Sequence, residues 1–381
     1  MATDNNNKVL NVPNLRFPEF TEEWKETKIG DITSKVGSGV TPKGGSAVYK
    51  TSGHLFIRSQ NVGNGRFLLD DVAYIDEATH KKQINTELKD GDVLLNITGA
   101  SIGRTTVVNK NVEGGNVNQH VCIIRLLEDY SPNYICNYLL SYGGQKQIDS
   151  FQAGGNREGL NFEQIRSIKF SIPSFREQSK IASLLSLLEE RIATQNKIIE
   201  QLQSLIKGIV VSITAETPNA RIDKCLVCHS STLQENNIED FGDFPVYGAN
   251  GICGYTVNAD FNEPAILIVK DGSGVGNVRF VNGRYSVIGT QNILTPQNEI
   301  CLKYIFYCLQ AFNFVPYKTG MAIPHIYFKD YGKAKIYCPN FEQQVKIASQ
   351  IDLIESKIEI ATQLLNKYEE QKKFLLSNMF I

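Results

Sequence analysis

The stretch Ile172–Ile192 reads IPSFREQSKIASLLSLLEERI, and a related stretch at Tyr337–Ile358 reads YCPNFEQQVKIASQIDLIESKI. A shift of 166 positions brings Pro173 onto Pro339 and keeps the apolar residues that follow in register. A repeat with so long a period indicates a duplicated unit, in which a domain is followed by a helix, and not a solenoid of short repeats. The chain is therefore predicted to hold two related domains and two related helices.

Apolar residues recur at heptad spacing in both stretches and beyond them. Ile181 and Leu188 lie seven positions apart, and Leu185 and Ile192 form a second row between them. Two such rows place one apolar seam along a helix, and about 35 helical residues span roughly 50 Å. The predicted seam residues are Ile181, Leu185, Leu188, Ile192, Ile199, Leu202 and Ile206 in the first helix, and Ile347, Ile351, Ile354, Ile358 and Leu365 in the second.

Each seam needs an apolar partner, and because the two registers match, the two helices are natural partners for each other. A pair that holds one domain at each end must run antiparallel, since parallel helices would bring both domains to the same end. The alternative is that each helix packs only on its own domain, but four to five unbroken heptads are long for such a helix. We therefore expect an antiparallel coiled coil with pseudo-two-fold symmetry.

The repeat continues outside the long helices. Gly91–Val108 and Pro264–Val281 both show a buried-strand run, a glycine-rich turn and a second strand. Gln119 and Gln291 each precede an apolar run and are predicted to be equivalent, and a helix is expected near Asn133–Tyr142. The predicted fold class is mixed α/β (α+β), with two tandem domains rich in short strands, separated by the two long helices.

Composition shifts and proline positions give the segment boundaries. Pro218 blocks continuation of the first long helix, so the polar stretch around it reads as a linker. The predicted segments are a flexible lead-in at 1–14, a first domain at 15–172, the central repeated helix at 173–213, a linker at 214–220, a second domain at 221–338 and the C-terminal repeated helix at 339–381.

The overall composition limits the possible functions. A net charge of −1 gives no basic field that would indicate nucleic acid by bulk electrostatics, although local contacts stay open. No apolar run approaches the length of a membrane-spanning helix, and the first residues lack a signal-peptide core, so no membrane contact is expected. The eight cysteines are accordingly expected to be reduced thiols in the cytoplasm.

Three short motifs suggest chemistry that their surroundings do not support. Cys225–His229 fits the haem attachment pattern, but that chemistry needs export, and a zinc site needs a second pair of ligands. Gly272–Gly276 resembles a phosphate loop, but a strand pattern follows it where a helix is required. Asp352 and Glu355, with Lys357, have the composition of a nuclease cluster, yet their place beside the helix seam indicates a solvated face. No nucleophile with a base and an orienting group is found, so neither catalytic residues nor a metal site is predicted.

Polar side chains collect in loops of both domains. Arg pairs with guanine edges, Asn and Gln pair with adenine, and glycine turns let the backbone approach phosphates. A single loop of this kind is more often a plain turn, but recurrence in both copies favours binding. The candidate DNA-contacting residues are Ser38, Thr41, Lys43, Arg58, Gln60, Asn61, Asn96, Ser101, Arg104, Asn118, Gln119, Asn156 and Arg157 in the first domain, and Tyr247, Asn250, Lys270, Ser273, Asn277, Gln291, Lys318, Thr319 and His325 in the second.

The order of these motifs resembles a known family, the specificity subunits of type I restriction–modification systems. NLRFPEFTEEWKETKIGDI at Asn14–Ile32 looks like the entry to such a subunit, and GDVLLNITGASIGRT at Gly91–Thr105 is similar to the core of its target-recognition domains. YGANGICGY at Tyr247–Tyr255 and SVIGTQNIL at Ser286–Leu294 look like a second such domain. The two repeated stretches resemble the two repeated regions of the family, which continue as helices, so the resemblance covers nearly the whole chain past residue 10.

The resemblance implies a division of labour between this chain and its partners. Each target-recognition domain would read one half of a bipartite site in double-stranded DNA, while the coiled coil sets the spacer and docks two methylation subunits. Those subunits would methylate adenine N6 with S-adenosylmethionine, and motor-nuclease subunits would use ATP and Mg. This chain itself would bind no cofactor and carry no catalytic centre.

Two other functions stay open at this point. One is an enzyme, such as a fused methyltransferase or nuclease, in which the purified chain alone would turn over a cofactor. The other is a scaffold of two domains on a coiled coil that does not bind DNA, in which case the assembled complex would not retain DNA.

Overall fold

Each long helix contributes one part of its length to each of two units. The computed structural model describes residues 10–152, 159–234, 238, 241–272, 274–297, 299–320 and 323–381. The first unit comprises Met1–Gln195 with Leu364–Ile381, and the second comprises Asn196–Gln363. These two units are the compact parts of the chain, and they differ from the segments predicted above, whose boundaries stay predictions.

The first unit contains two small sheets and a two-stranded ladder. Its elements are β1 (Lys25–Lys28), β2 (Thr33–Ser38), β3 (His54–Ile57), β4 (Ala73–Ile75), α1 (Glu77–Lys82), β5 (Val93–Asn96), β6 (Thr105–Val107), β7 (Asn116–Val117), β8 (Val121–Leu126), α2 (Pro132–Leu140), α3 (Tyr142–Gln152), α4 (Phe162–Ser167), β9 (Lys169–Ile172) and the first part of α5 (Phe175–Thr214). One sheet has the order β2-β8-β5-β6, the other β4-β3-β7, and β1 pairs with β9. The helix predicted near residues 133–142 is α2.

The second unit has the same plan. Its elements are β10 (Ala220–Arg221), α6 (Ile222–Cys225), β11 (Leu226–Ser230), β12 (Phe244–Gly248), β13 (Gly251–Thr256), β14 (Ala265–Val269), β15 (Val278–Val281), β16 (Ser286–Val287), β17 (Gln291–Pro296), α7 (Leu302–Gln310), α8 (Phe328–Tyr331), β18 (Lys335–Ile336) and the first part of α9 (Phe341–Asn378). The sheet orders are β11-β17-β14-β15 and β13-β12-β16, and β10 pairs with β18. The matching strand orders confirm the predicted duplication.

Successive residues of the central strands pack into two different hydrophobic cores. In β5, Val93 and Leu95 pack with the helices, whereas Leu94 belongs to a separate cluster on the other face of the sheet. In β14, Ile268 packs with the helices and Leu267 with the opposite cluster. A strand buried on both faces needs a continuous apolar run, which is why these segments could be identified from sequence.

The predicted helix seams are covered along both long helices. In the first unit, Tyr368 of α9 lies beside Thr194 of α5, and Lys372 pairs with Glu189, so these parts of the two helices run antiparallel as predicted. The buried seam residues are Ile181, Leu185, Leu188, Ile192 and Ile351, and the half-buried ones are Ile199, Leu202, Ile206, Ile347, Ile354, Ile358 and Leu365.

A buried glutamine ties the start of each long helix to its domain. Gln178 accepts a hydrogen bond from the Ser131 backbone N–H at 3.0 Å and donates to the carbonyl of the proline five positions before it at 3.0 Å. Gln344 does the same with the Cys301 N–H at 3.0 Å and its own preceding proline at 2.7 Å. Both side chains are 2% exposed. Each amide therefore satisfies two backbone groups that the helix start and the α2 or α7 start would leave unpaired.

Gln344→Leu should lower the free energy of unfolding by about 1–3 kcal/mol, because it leaves the half-buried Cys301 N–H and Pro339 carbonyl without their partner and removes little volume. Gln343→Leu is the matched control, since Gln343 is the exposed neighbour on the same helical turn, and its effect should stay within about 0.5 kcal/mol. Urea unfolding followed by circular dichroism measures both. Equal effects from the two substitutions would show that the buried amide does not hold the helix start.

The segment before β1 contacts the far end of α9. Leu15 donates its backbone N–H to the Asn378 carbonyl at 3.0 Å, and Ser171 donates to the Ile381 carbonyl at 3.0 Å. Arg16 forms two hydrogen bonds with Glu177 near the start of α5, at 2.7 and 2.8 Å. This segment is thus fixed to the same place as the last residues of the chain.

Candidate nucleic-acid interface

A glycine turn with the same hydrogen bonds joins two strands in each domain. The Asn96 N–H donates to the Arg104 carbonyl at 2.8 Å, and the Val269 N–H donates to the Asn277 carbonyl at 3.0 Å. Two glycines in each turn have positive φ, 71° and 86° in the first and 95° and 93° in the second, a conformation that side-chain-bearing residues avoid. The predicted strand–turn–strand is confirmed by the antiparallel pairing on both sides. Arg104 and Asn277 leave these turns as equivalent, exposed side chains.

The structure corrects the predicted equivalence of Gln119 and Gln291. Gln291 lies opposite Val269 in the β14–β17 ladder, and the residue opposite Asn96 in the matching β5–β8 ladder is Val121. Gln119 therefore precedes the equivalent position by two residues. An apolar run shows that a strand follows but does not fix its register, and the two glutamines were aligned by their neighbours alone.

The correct register reveals a buried amide at the same cross-strand pair in both domains. In the first domain it is Asn96, whose Nδ2 donates to the Ser59 carbonyl at 2.8 Å. In the second it is Gln291, on the other strand, whose Nε2 donates to the Tyr247 carbonyl at 3.0 Å. Asn96 is 0% exposed and Gln291 is 1% exposed. The Asn96 side chain thus holds the turn after β3 and the Gln291 side chain holds strand β12, so both support the fold of their domain. Contact of either side chain with bases stays a prediction.

Asn61 and Asn118 were also proposed as contacts and are also buried, at 1% and 7% exposure. Asn61 Nδ2 donates to two loop carbonyls, those of Leu68 at 2.9 Å and Asp71 at 2.7 Å. Asn118 Oδ1 accepts from the His120 N–H at 3.0 Å. Buried polar groups are normally satisfied in this way, and sequence cannot separate an amide that supports a turn from one that faces a ligand.

Asp71 was not predicted from the sequence, and it contacts two of the predicted residues, Arg58 and Gln60. Arg58 Nη2 lies 3.1 Å from Asp71 Oδ1, and Gln60 Nε2 donates to Asp71 Oδ2 at 2.7 Å. The Arg58 guanidinium also stacks 5.7 Å from the centre of the Tyr49 ring. The Asp71 side chain is 74% exposed. Asp71 thus joins the partly exposed Arg58 and the exposed Gln60 into one polar group at the surface.

Arg279 is a second residue that the sequence analysis missed. Its guanidinium lies 6.0 Å from the centre of the Tyr247 ring, which meets Tyr285 edge-on at 5.9 Å. It also donates to the Gly248 carbonyl at 3.5 Å, beside the turn that carries the exposed Asn250. The sequence feature that could have identified Arg279 is its place in the short strand that follows a glycine turn.

A histidine is anchored beside each glycine turn. His120 Nδ1 lies 2.6 Å from Thr98 Oγ1 in the first domain. His325 Nδ1 lies 2.8 Å from Asp271 Oδ1 in the second. Both histidines are partly exposed, and of the two only His325 was among the predicted contacts.

The remaining candidates differ in exposure, and none of the described ones is excluded by it. The exposed ones are Lys43, Gln60, Arg104, Gln119, Asn250, Asn277, Lys318 and Thr319. The partly exposed ones are Ser38, Thr41, Arg58, Ser101, Tyr247, Lys270 and His325. Asn156, Arg157 and Ser273 lie outside the described residues. Contact of any of these side chains with DNA stays a prediction.

Three cysteines of the second domain, Cys225, Cys228 and Cys308, have thiol pKa values above the ordinary range. A hydrogen bond with Cys338, together with burial, raises the pKa of Cys225, and the same bond lowers the pKa of Cys338. Burial raises the pKa of Cys228 to about 11 and that of Cys308 to about 12. Metal ligation requires thiolates. In the described ranges, no three His, Cys, Asp or Glu side chains form a group that could hold a metal ion.

The carboxylates that mimic a nuclease cluster contact α7. The Tyr307 hydroxyl lies within hydrogen-bond distance of two carboxylates, that of Asp352 at 2.7 Å and that of Glu355 at 2.9 Å. Lys303 Nζ lies 3.0 Å from Asp352 Oδ1. Burial and these carboxylates raise the pKa of Tyr307. The Asp352 and Glu355 side chains are 43% and 44% exposed, so the predicted solvated face also contacts α7. Among the described helices, none is both long and apolar enough to cross a membrane.

Comparison with known proteins gives one consistent answer across the chain. The family described as type I restriction modification DNA specificity domain matches residues 21–204 and again 227–370. A putative type I restriction enzyme specificity subunit of Methanocaldococcus jannaschii is 22% identical, over 97% of this chain and 96% of the relative. A putative type I specificity subunit of Mycoplasma genitalium is 23% identical, over 74% of this chain and 79% of the relative.

Solved structures agree at the level of the fold. The crystal structure of a type I restriction–modification S subunit from M. genitalium superposes with a TM-score of 0.65 at 16% identity, covering 97% of this chain and 99% of that one. A chain from a study of complex assembly and conformational transition of the type I R-M system superposes with a TM-score of 0.54 at 13% identity, covering 93% of this chain and 96% of that one.

Proposed function

The chain belongs to the type I restriction modification DNA specificity family, and on that premise we propose how it works as the DNA-specificity subunit of a restriction–modification complex. Each of its two specificity domains reads one half of a bipartite target in double-stranded DNA. The observation that carries this division is a shared scaffold with different exposed side chains. The glycine turns have the same backbone hydrogen bonds, yet one presents Arg104 and the other Asn277. Arg suits guanine and Asn suits adenine, so two unlike half-sites are expected.

The proposal assigns chemistry to partners and recognition to this chain. The two long helices set the distance between half-sites and dock two methylation subunits, which use S-adenosylmethionine to methylate adenine N6. Motor-nuclease subunits use ATP and Mg to translocate and cut unmodified DNA. This chain holds none of these cofactors and acts in the cytoplasm, where the DNA lies. Its net charge of −1 leaves much of the phosphate contact to the partners, because affinity for DNA grows with the number of phosphates neutralised.

The test is to separate the half-sites by substitution in the assembled complex. Arg104→Ala should relax one base pair in one half-site only, and Asn277→Ala should relax one base pair in the other, each with a loss of about 1–3 kcal/mol of discrimination. Methylome sequencing of a host carrying each variant with its partner subunits reads both halves at once. Lys89→Ala is the control, because Lys89 is exposed and lies before β5, at the strand end away from the turn.

Two results would contradict the proposal. Relaxation of both half-sites by Arg104→Ala would break the assignment of one domain to one half. A wild-type complex that methylates without any sequence preference would remove the specificity role altogether.

A further inference from the structure

His120 and His325 lie at equivalent places in the two domains, as the backbone hydrogen bonds around them show. In the first domain the Leu160 N–H donates to the Ile97 carbonyl at 2.9 Å, and in the second the Ile326 N–H donates to the Lys270 carbonyl at 2.9 Å. The next residue after each acceptor, Thr98 or Asp271, begins the glycine turn. These two residues are therefore structural equivalents, and each is the residue that holds a histidine by Nδ1.

The two histidines reach this place from different parts of the fold. His120 precedes β8, and its carbonyl accepts from the Ile97 N–H at 3.0 Å, where the second domain has Thr290 accepting from Lys270 at 2.9 Å. His325 lies in an extended segment before α8 and forms a bridge with Asp271, where the first domain has Gly159 bridged to Thr98. Simple duplication would have placed the histidine on the same element in both copies. Arrival by two routes indicates that the position itself is used.

The chemistry of the anchor fixes which ring atom faces outward in the second domain. A carboxylate only accepts hydrogen bonds, so the Nδ1 of a neutral His325 must carry the hydrogen and donate to Asp271. Nε2 then presents a lone pair. The His325 side chain is 34% exposed, and within the described part of the chain no hydrogen bond occupies its Nε2. An acceptor fits the exocyclic amino group of adenine or cytosine in the major groove and repels the acceptor atoms of guanine and thymine.

The first domain adds a second polar group to the same position. His120 Nε2 lies 3.4 Å from Nε2 of Gln119, which is exposed. Thr98 can either donate or accept at Nδ1, so this ring is not restricted to one tautomer. The two domains thus share the place of the histidine and differ in what it presents.

Building on the proposed function, we propose that His120 and His325 are the base-reading histidines of the two domains, positioned by Thr98 and Asp271. His325 accepts a hydrogen bond from the exocyclic amino group of an adenine or cytosine in the half-site that the second domain reads. Asp271 is a positioning residue, since it acts through the His325 ring.

The experiment uses the complex with its methylation subunits and a set of duplexes, each with one base pair changed in the second-domain half-site. Binding is measured by fluorescence anisotropy. His325→Leu should lose ten- to hundred-fold discrimination at one base pair, whereas His325→Gln keeps an acceptor oxygen and should retain most of it. Asp271→Ala should lose discrimination at that same base pair. His229→Leu is the matched control, because His229 is exposed on β11 and pairs with Thr295 at 2.8 Å.

A duplex that lacks only the exocyclic amino group of the responding base tests whether His325 contacts that group. Replacing adenine by purine, or cytosine by 2-pyrimidinone, should weaken binding of the wild-type complex and leave His325→Leu unaffected, since the contact is already gone. His120→Leu should act in the same way on one base pair of the other half-site.

The outcomes distinguish this inference from the proposed function. A wild-type complex that binds scrambled duplexes as well as its target would remove the proposed function itself. A wild-type complex that discriminates, while His325→Leu keeps the full profile or weakens every duplex equally, would overturn the reading role and leave the function standing. A melting temperature lowered equally by His325→Gln and His325→Leu, with discrimination unchanged, would show that the ring only supports the loop.

Discussion

Arg16→Ala should lower the free energy of unfolding by about 3–5 kcal/mol, because it leaves the Glu177 carboxylate buried without its partner. The Glu177 side chain is 1% exposed and that of Arg16 13%, and the guanidinium holds both carboxylate oxygens at 2.7 and 2.8 Å. A buried charge that loses its partner keeps its full desolvation cost. Urea unfolding of the purified chain gives the difference directly.

The repeat itself suggests the rescue variant. At the position of Glu177 the second copy has Gln343, a neutral residue that is exposed. Adding Glu177→Gln to Arg16→Ala removes the stranded charge and should recover most of the loss. Lys180→Ala is the control, since Lys180 pairs with Glu19 at the exposed surface nearby, and exposed pairs contribute about 0–1 kcal/mol. A double variant as unstable as Arg16→Ala would show that packing of the segment, and not charge, accounts for the effect.

Insertion of four residues into each long helix should lengthen the unspecified spacer of the DNA target by one to two base pairs. The insertions go between Gln195 and Asn196 and between Gln363 and Leu364, where each helix passes from one unit to the other. Four residues add roughly 6 Å, against 3.4 Å per base pair. They also make slightly more than one turn, so the seam returns close to its original face. Methylome mapping of a host that carries the variant measures the spacer.

Insertion into α5 alone is the informative control. It shifts one seam against the other and should lower both stability and methylation, whereas the matched pair keeps them. Both half-site sequences should be unchanged in the matched variant. A spacer of the original length, or altered half-site bases, would mean that the helices do not set the distance.

The fold could be predicted from the sequence because burial requires apolar residues at regular spacing. Ile181 and Leu188 had to face a partner at heptad spacing, and the residues of β5 and β14 had to be apolar on both faces. Buried hydrogen-bonding residues left a weaker signal. Gln178 and Gln344 stood out as repeat identities, but nothing local showed that their amides join helix to domain.

The site was harder because the same residue types support loops and contact ligands. Asn96 and Gln291 look like base readers in sequence, and only the structure shows that both are buried and bonded to backbone carbonyls of their own domain. Asp71 was missed because its partners lie eleven or more positions away in sequence. His120 was passed over because its anchor, Thr98, is distant in sequence and ordinary in composition.

The meeting of Leu15 with Asn378, and of Ser171 with Ile381, places the first described segment of the chain beside its last residues. Walking from β1 through the first domain, α5, the second domain and α9 returns to the starting place. A chain reopened in the 214–220 segment, with residue 381 joined to residue 10 by a short linker, would contain the same contacts.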